Sequence, residues 1–172
     1  KIVISGFSYG GSEAALIARS NRVHRAALFG SPRDGLGNVP NAWVAPGETP
    51  SRRYYGLVHT RDPLVAVTLA SWKALGMPAF GEQVSEDEAT PPYGKTHMLV
   101  TNRDSPIVDP ISAFHSSVAS DVFTPCTADG SIVPVQCTAE GAGPPLLGNV
   151  WRYLLGAHGQ GDDAEDDDPE DE

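Results

Sequence analysis

Three residues of this chain have the types and the order that nucleophilic catalysis requires. Gly6-Phe7-Ser8-Tyr9-Gly10-Gly11 fits the pattern G-x-S-x-G around Ser8, Asp62 follows in "VHTRDPLV", and His115 follows in "AFHSSV". A serine hydroxyl is a poor nucleophile at neutral pH. It needs a base to take its proton, and the base needs an acid to hold its tautomer. Ser8 as nucleophile, His115 as base and Asp62 as orienting acid would support acyl transfer without any cofactor. The backbone N–H of Tyr9, the residue after the nucleophile, would be one donor to the oxyanion.

These residues must be held by strands and helices. "KIVIS" is a short apolar run before a glycine-rich turn and predicts a buried strand, and "SEAALIARS" after it is rich in helix formers. "HRAALFGSP" predicts a second strand, "RYYGLVHT" a third and "THMLVTN" a fourth. "LVAVTLASWKALG" sets Val65, Leu69 and Trp72 at helical spacing, with Gly76 and Pro78 as stops. "LLGNVWRYLLG" predicts a closing helix with Asn149 as its cap. Residues 35–53 and 81–95 are rich in Gly, Pro and polar residues and predict loops. Strands alternating with helices predict an α/β protein with a mostly parallel sheet.

The setting gives the Ser8 motif its meaning. A strand before it and a helix after it form a nucleophile elbow, a sharp turn that lifts the serine clear of the sheet. Glycines flank the serine because side chains there would collide with the neighbouring strand and helix. The competing reading is an ordinary Gly/Ser-rich turn or a phosphate-binding one. The stretch does not have the spacing G-x-x-x-x-G-K-[ST].

In the elbow architecture the acid and the base follow at the C-terminal ends of later strands. Asp62 comes directly after the third predicted strand, and His115 comes in a loop after the fourth. Asp34, after the second strand, is the alternative acid, and Asp104 and Asp109 precede the His115 loop. His24 and His97 begin strands and so fall at the wrong end of the sheet. His59 ends the third strand beside the better-placed Asp62, and His158 lies in the glycine-rich "GAHGQG".

"ISGFSYGG", "VHRAALFGSP", "YYGLVHTRDPLV" and "AFHSSV…VWRYLLG" together resemble esterase- or lipase-like serine hydrolases of the α/β-hydrolase superfamily. The resemblance covers residues 1–156. It implies an eight-stranded, mostly parallel sheet, of which this chain would hold the equivalents of strands five to eight. It also implies hydrolysis of a small-molecule carboxylic ester through an acyl-enzyme on Ser8. An N-terminal half or a partner chain would then be missing, and the first strand would show an open, apolar outer edge. The second oxyanion donor would be missing too, at a cost of about 2.7–4 kcal/mol in transition-state stabilisation. The alternatives are a non-catalytic binding or interaction module of the same fold and, further off, a serine peptidase. The 35–53 loop is too short for a large cap, so the site would be open, with Trp43 available to line it or, as is more common for a loop Trp, packed structurally.

Composition narrows the partners. The net charge is −10, but Asp162–Glu172 hold nine of the 22 acidic residues. The rest of the chain is close to neutral, with 13 acidic against 12 basic residues. Residues 157–172 are therefore expected to be a disordered acidic tail, and nothing resembles a basic nucleic-acid footprint. No run of eighteen apolar residues exists to span a membrane. Cys126 and Cys137 in "CTADGSIVPVQC" are too few to hold a metal. A disulfide between them would contribute roughly 3 kcal/mol. A two-residue hairpin at Asp129-Gly130 would pair Cys126 with Val133 instead, so the bridge requires an irregular loop. If formed, it points to a secreted or periplasmic setting.

Overall fold

The computed structural model describes residues 1–104, 109–120 and 145–157. Cys126, Cys137, His158 and the acidic segment lie outside the described residues. Five parallel strands form the main sheet, in the order β1-β2-β5-β7-β6. They are β1 (Val3–Phe7), β2 (Arg25–Phe29), β5 (Tyr54–His59), β7 (Met98–Thr101) and β6 (Val84–Ser85). β3 (Gly35–Leu36) and β4 (Val39–Pro40) make a separate antiparallel pair.

Every residue of β5 is buried, as its unbroken apolar run requires for a strand covered on both faces. Alternation along the strands divides the core into two layers. On one face Ala26, Leu28, Tyr54 and Val58 pack with α1 (Tyr9–Ser20) and α2 (Val65–Ala74). On the other, Ala27, Phe29, Tyr55 and Leu57 pack with α3 (Gly148–Leu155). Gly56 leaves the room that Trp72 of α2 needs to lie across β5, since a Cβ there would stand 2.3 Å from the indole. The Trp72 indole N–H then donates to the Ser31 carbonyl at 2.8 Å, tying α2 to the chain leaving β2.

Several expectations need correction. The 81–95 stretch contains β6, whose Val84 and Ser85 pair with Leu99 and Val100. The 35–53 stretch contains the β3–β4 pair and a 3₁₀ turn at Ser51–Arg53. Asn149 does not cap α3. Leu147 holds that position, and Asn149 sits inside the first turn, where its Oδ1 accepts from Arg152 at 2.6 Å. Trp43 packs against the core cluster that holds Trp72. β1 does lie at an edge of the sheet, as expected, with Val3 and the preceding Ile2 exposed. Among the described residues no helix is long and apolar enough to cross a membrane.

Candidate active site

The elbow geometry begins at Ser8, which has φ 57° and ψ −121°. A non-glycine residue with positive φ carries strain of about 1–3 kcal/mol, and such strain gathers at functional sites. Local bonds hold the turn in place. The Ser8 N–H donates to the Phe29 carbonyl at 2.9 Å, binding the elbow to the end of β2, and the Ser8 carbonyl accepts from Gly11 and Ser12. Tyr9 is the first residue of α1, so its N–H belongs to the set that a helix start leaves unpaired.

The flanking glycines do not all have the same reason. A Cβ on Gly6 would meet the Gly10 carbonyl, and one on Gly11 would run into the Ser31 hydroxyl. A Cβ on Gly10 would meet nothing within 4 Å. Steric need therefore falls on Gly6 and Gly11, while Gly10, the second glycine of the motif, stands in open space.

Asp62 and His115 are brought together although 53 residues separate them. The His115 Nδ1–H donates to Asp62 Oδ2 at 2.6 Å. The other carboxylate oxygen of Asp62 accepts from the Leu64 N–H at 2.7 Å. Both side chains are buried, Asp62 at 2% and His115 at 3% exposure. With both oxygens occupied, Asp62 acts as a fixed acceptor that sets the imidazole tautomer. The opposite ring nitrogen, Nε2, is buried and has no hydrogen-bond partner. The imidazole lies 4.8 Å from the Phe7 ring, centre to centre, and Phe7 is the residue before Ser8.

His115 ends a short π-helical turn, Ile111–His115, which runs on into a 3₁₀ turn at Ser116–Val118. The carbonyl of Val118 accepts from the Trp151 indole at 2.8 Å, so α3 anchors the segment from below. From the other side, Phe114 packs on the His59 ring at 4.6 Å and under the Arg61 guanidinium at 4.4 Å.

The remaining candidates do not join this pair. Asp34 sits at the base of the β3–β4 pair, where its carbonyl accepts from Asn41, and its side chain does not bond His115. Asp104 pairs with Arg61 at 2.7 Å. Asp109 accepts from the Ser112 N–H at 2.7 Å, and hydrogen bonding from the Ser112 side chain first, then from its N–H, holds its carboxyl below the usual range. His24 and His97 lie just before β2 and β7, at the far end of the sheet.

His59 is the instructive neighbour. Its Nε2–H donates to the Arg103 carbonyl at 2.8 Å, and its Nδ1 accepts from the Arg61 N–H at 3.0 Å. Burial pushes this imidazole below its ordinary pKa, against the upward pull of the Arg103 carbonyl.

Two features of the site carry no clear signal in the sequence. Gly30, directly after β2, has φ 55°, and a Cβ there would stand 3.1 Å from the His115 ring and 3.5 Å from Asp62 Oδ2. The only local signal was a glycine ending a buried strand. The second is a clamp beneath the His59 end of the sheet. Glu86 takes Arg103 through two bonds, at 2.8 and 3.3 Å, while Asp87 holds the same guanidinium at 3.0 Å. Burial raises the Glu86 carboxyl pKa, and Arg103 pulls it back down. No local pattern links residues 17 apart in sequence.

Among the described residues no group of three or more His, Cys, Asp or Glu could hold a metal ion. Comparison with protein-family models, curated proteins and solved structures gives no match for this chain.

Proposed function

We propose that the chain is a serine hydrolase of the α/β-hydrolase type that cleaves carboxylic esters. The observation that carries this reading is the buried Asp62–His115 bond, which leaves His115 Nε2 without a partner in a ring that packs on Phe7, the residue before the strained Ser8. A structural histidine in a core ordinarily has both nitrogens satisfied, because an unmet buried polar atom costs about 1–3 kcal/mol. A nitrogen left open at a serine elbow has a use as a proton acceptor.

In the proposed reaction Ser8 Oγ attacks the ester carbonyl carbon as its proton passes to His115 Nε2. Asp62 stabilises the resulting imidazolium through Nδ1–H. The Tyr9 N–H faces the developing oxyanion. Collapse of the intermediate breaks the ester C–O bond, and the alcohol leaves with the proton from Nε2. Water then attacks the acyl-serine, again giving its proton to His115, which returns it to Ser8 Oγ as the acyl C–Oγ bond breaks and the acid is released.

One observation favours the second reading, a non-catalytic module of the same fold. The Ser8 hydroxyl does not hydrogen-bond His115 Nε2. Catalytic bonds in ligand-free sites are often long and tighten only with substrate, so turnover decides between the two. With p-nitrophenyl acetate, the hydrolase reading expects a burst of nitrophenol of about one equivalent per chain, lost in Ser8→Ala. A folded wild-type chain no faster than its Ser8→Ala variant supports the module.

A further inference from the structure

We propose that Arg33 is a carboxylate-binding site at the elbow, and that the esters this chain takes carry an anionic group on a short acyl chain. The proposal rests on the serine-hydrolase reading and names its substrate class.

Arg33 leaves the end of β2 and is half-buried. Its backbone N–H donates to Ser12 Oγ at 3.3 Å, pinning it to the first turn of α1. Its guanidinium carbon lies 3.7 Å from the centre of the Tyr9 ring, and Tyr9 is the residue next to Ser8. Yet its side chain makes no hydrogen bond or ion pair among the described residues, and its Nε is buried without a partner.

Other arginines of the chain are engaged. Arg61 holds Asp104, Arg103 holds Glu86 and Asp87, and Arg152 holds Asn149. Asp34, the next residue, forms no ion pair with Arg33, and its own Oδ2 is buried without a partner.

A guanidinium offers five N–H donors in one plane. Stacking on an aromatic face fixes that plane and leaves its edges open. Such an edge takes a carboxylate through two parallel bonds, which a point charge cannot do. The open guanidinium lies on the ring of Tyr9, the residue after the proposed nucleophile, and the proposal seats there the terminal carboxylate of a short acyl chain attached to Ser8. Succinyl and glutaryl esters have that form.

The test compares p-nitrophenyl hydrogen succinate with p-nitrophenyl butyrate, which have four-carbon acyl groups differing in the terminal carboxylate. The full chain should prefer the anionic ester in kcat/KM. Arg33→Gln should lower the anionic-to-neutral ratio about tenfold or more, with Arg33→Lys falling between. A ratio unchanged by Arg33→Gln overturns the proposal.

A second arm reads binding without turnover. Monomethyl succinate, titrated calorimetrically into Ser8→Ala, which cannot cleave it, should bind, and should bind Ser8→Ala carrying Arg33→Gln about tenfold more weakly or worse. Equal binding to the double variant, or no binding to either form, overturns the proposal. The two readings fail separately. Hydrolysis of both esters with no charge preference removes the Arg33 site and leaves Ser8. Binding through Arg33 with neither ester cleaved removes the hydrolase reading and leaves an anion site.

Discussion

His59 and His115 are both buried near the C-terminal end of β5, and Phe114 touches the first while preceding the second. Their surroundings differ in one respect. His59 has a partner on each nitrogen, a carbonyl on one side and an N–H on the other. That pattern fits only the neutral ring, because a proton on Nδ1 would face the Arg61 N–H. His115 has a carboxylate on Nδ1 and nothing on Nε2. The first ring is saturated and can only hold structure. The second is oriented at one end and open at the other, as a group that moves a proton must be. The proposed base therefore differs from the structural His59 in its count of satisfied nitrogens, not in its burial.

The largest expected effects sharpen the open side of this contrast. Ser8→Ala or His115→Ala should lower ester turnover by about 10⁶-fold if the groups act as one unit. The double variant should be no worse than either single one, and steady-state rates compare all three. Asp62→Asn keeps the shape of the pair but offers an amide to Nδ1 and so releases the tautomer. A loss of about 10⁴-fold in kcat is expected, with folding retained in circular dichroism.

Gly30→Ala probes the same ring by crowding it. The new methyl would press on His115 from 3.1 Å, at a backbone φ that a side chain disfavours. Stability should fall by about 1–2 kcal/mol in urea titration, and activity by about tenfold as the imidazole shifts. Gly10→Ala, placed in open space, should cost far less in both assays.

The smallest effect belongs to His59. Its folded-state pKa lies below the ordinary 6.5, so the unfolded chain takes up a proton first as pH falls. The stability it contributes is complete above about pH 6.5 and is lost as pH drops from there through the folded-state value. His59→Gln should flatten that part of the stability–pH curve, measured by urea midpoints between about pH 5 and 7. An unaltered slope would mean that His59 is not held neutral.

Much of this arrangement was legible in the residues. The apolar runs at β1, β2, β5 and β7 announce their strands, because strands covered on both faces need no alternation. Ser8, Asp62 and His115 each follow such a run or stand in a loop beyond it, so strand ends could be inferred before any contact was known. What stayed hidden is tertiary. β6 is two residues in a polar stretch and is a strand only because β7 supplies its partner. Asn149 looked like a cap by type, but the helix begins one residue earlier, at Gly148. The role of Gly30 depends on a ring 85 positions away, and the Glu86–Arg103 clamp depends on two loops meeting. Of the motif glycines, the pattern could not tell crowded Gly6 and Gly11 from the unconfined Gly10.

The central claim is that the open nitrogen of His115 activates Ser8. It is tested most directly by treating the chain with a neutral fluorophosphonate and locating the adduct by peptide mass spectrometry. A single adduct is expected on the peptide carrying Ser8, absent in Ser8→Ala and formed far more slowly in His115→Ala, while His59→Gln still labels. No adduct on the folded wild-type chain, or labelling at Ser8 that His115→Ala leaves at full speed, would contradict it.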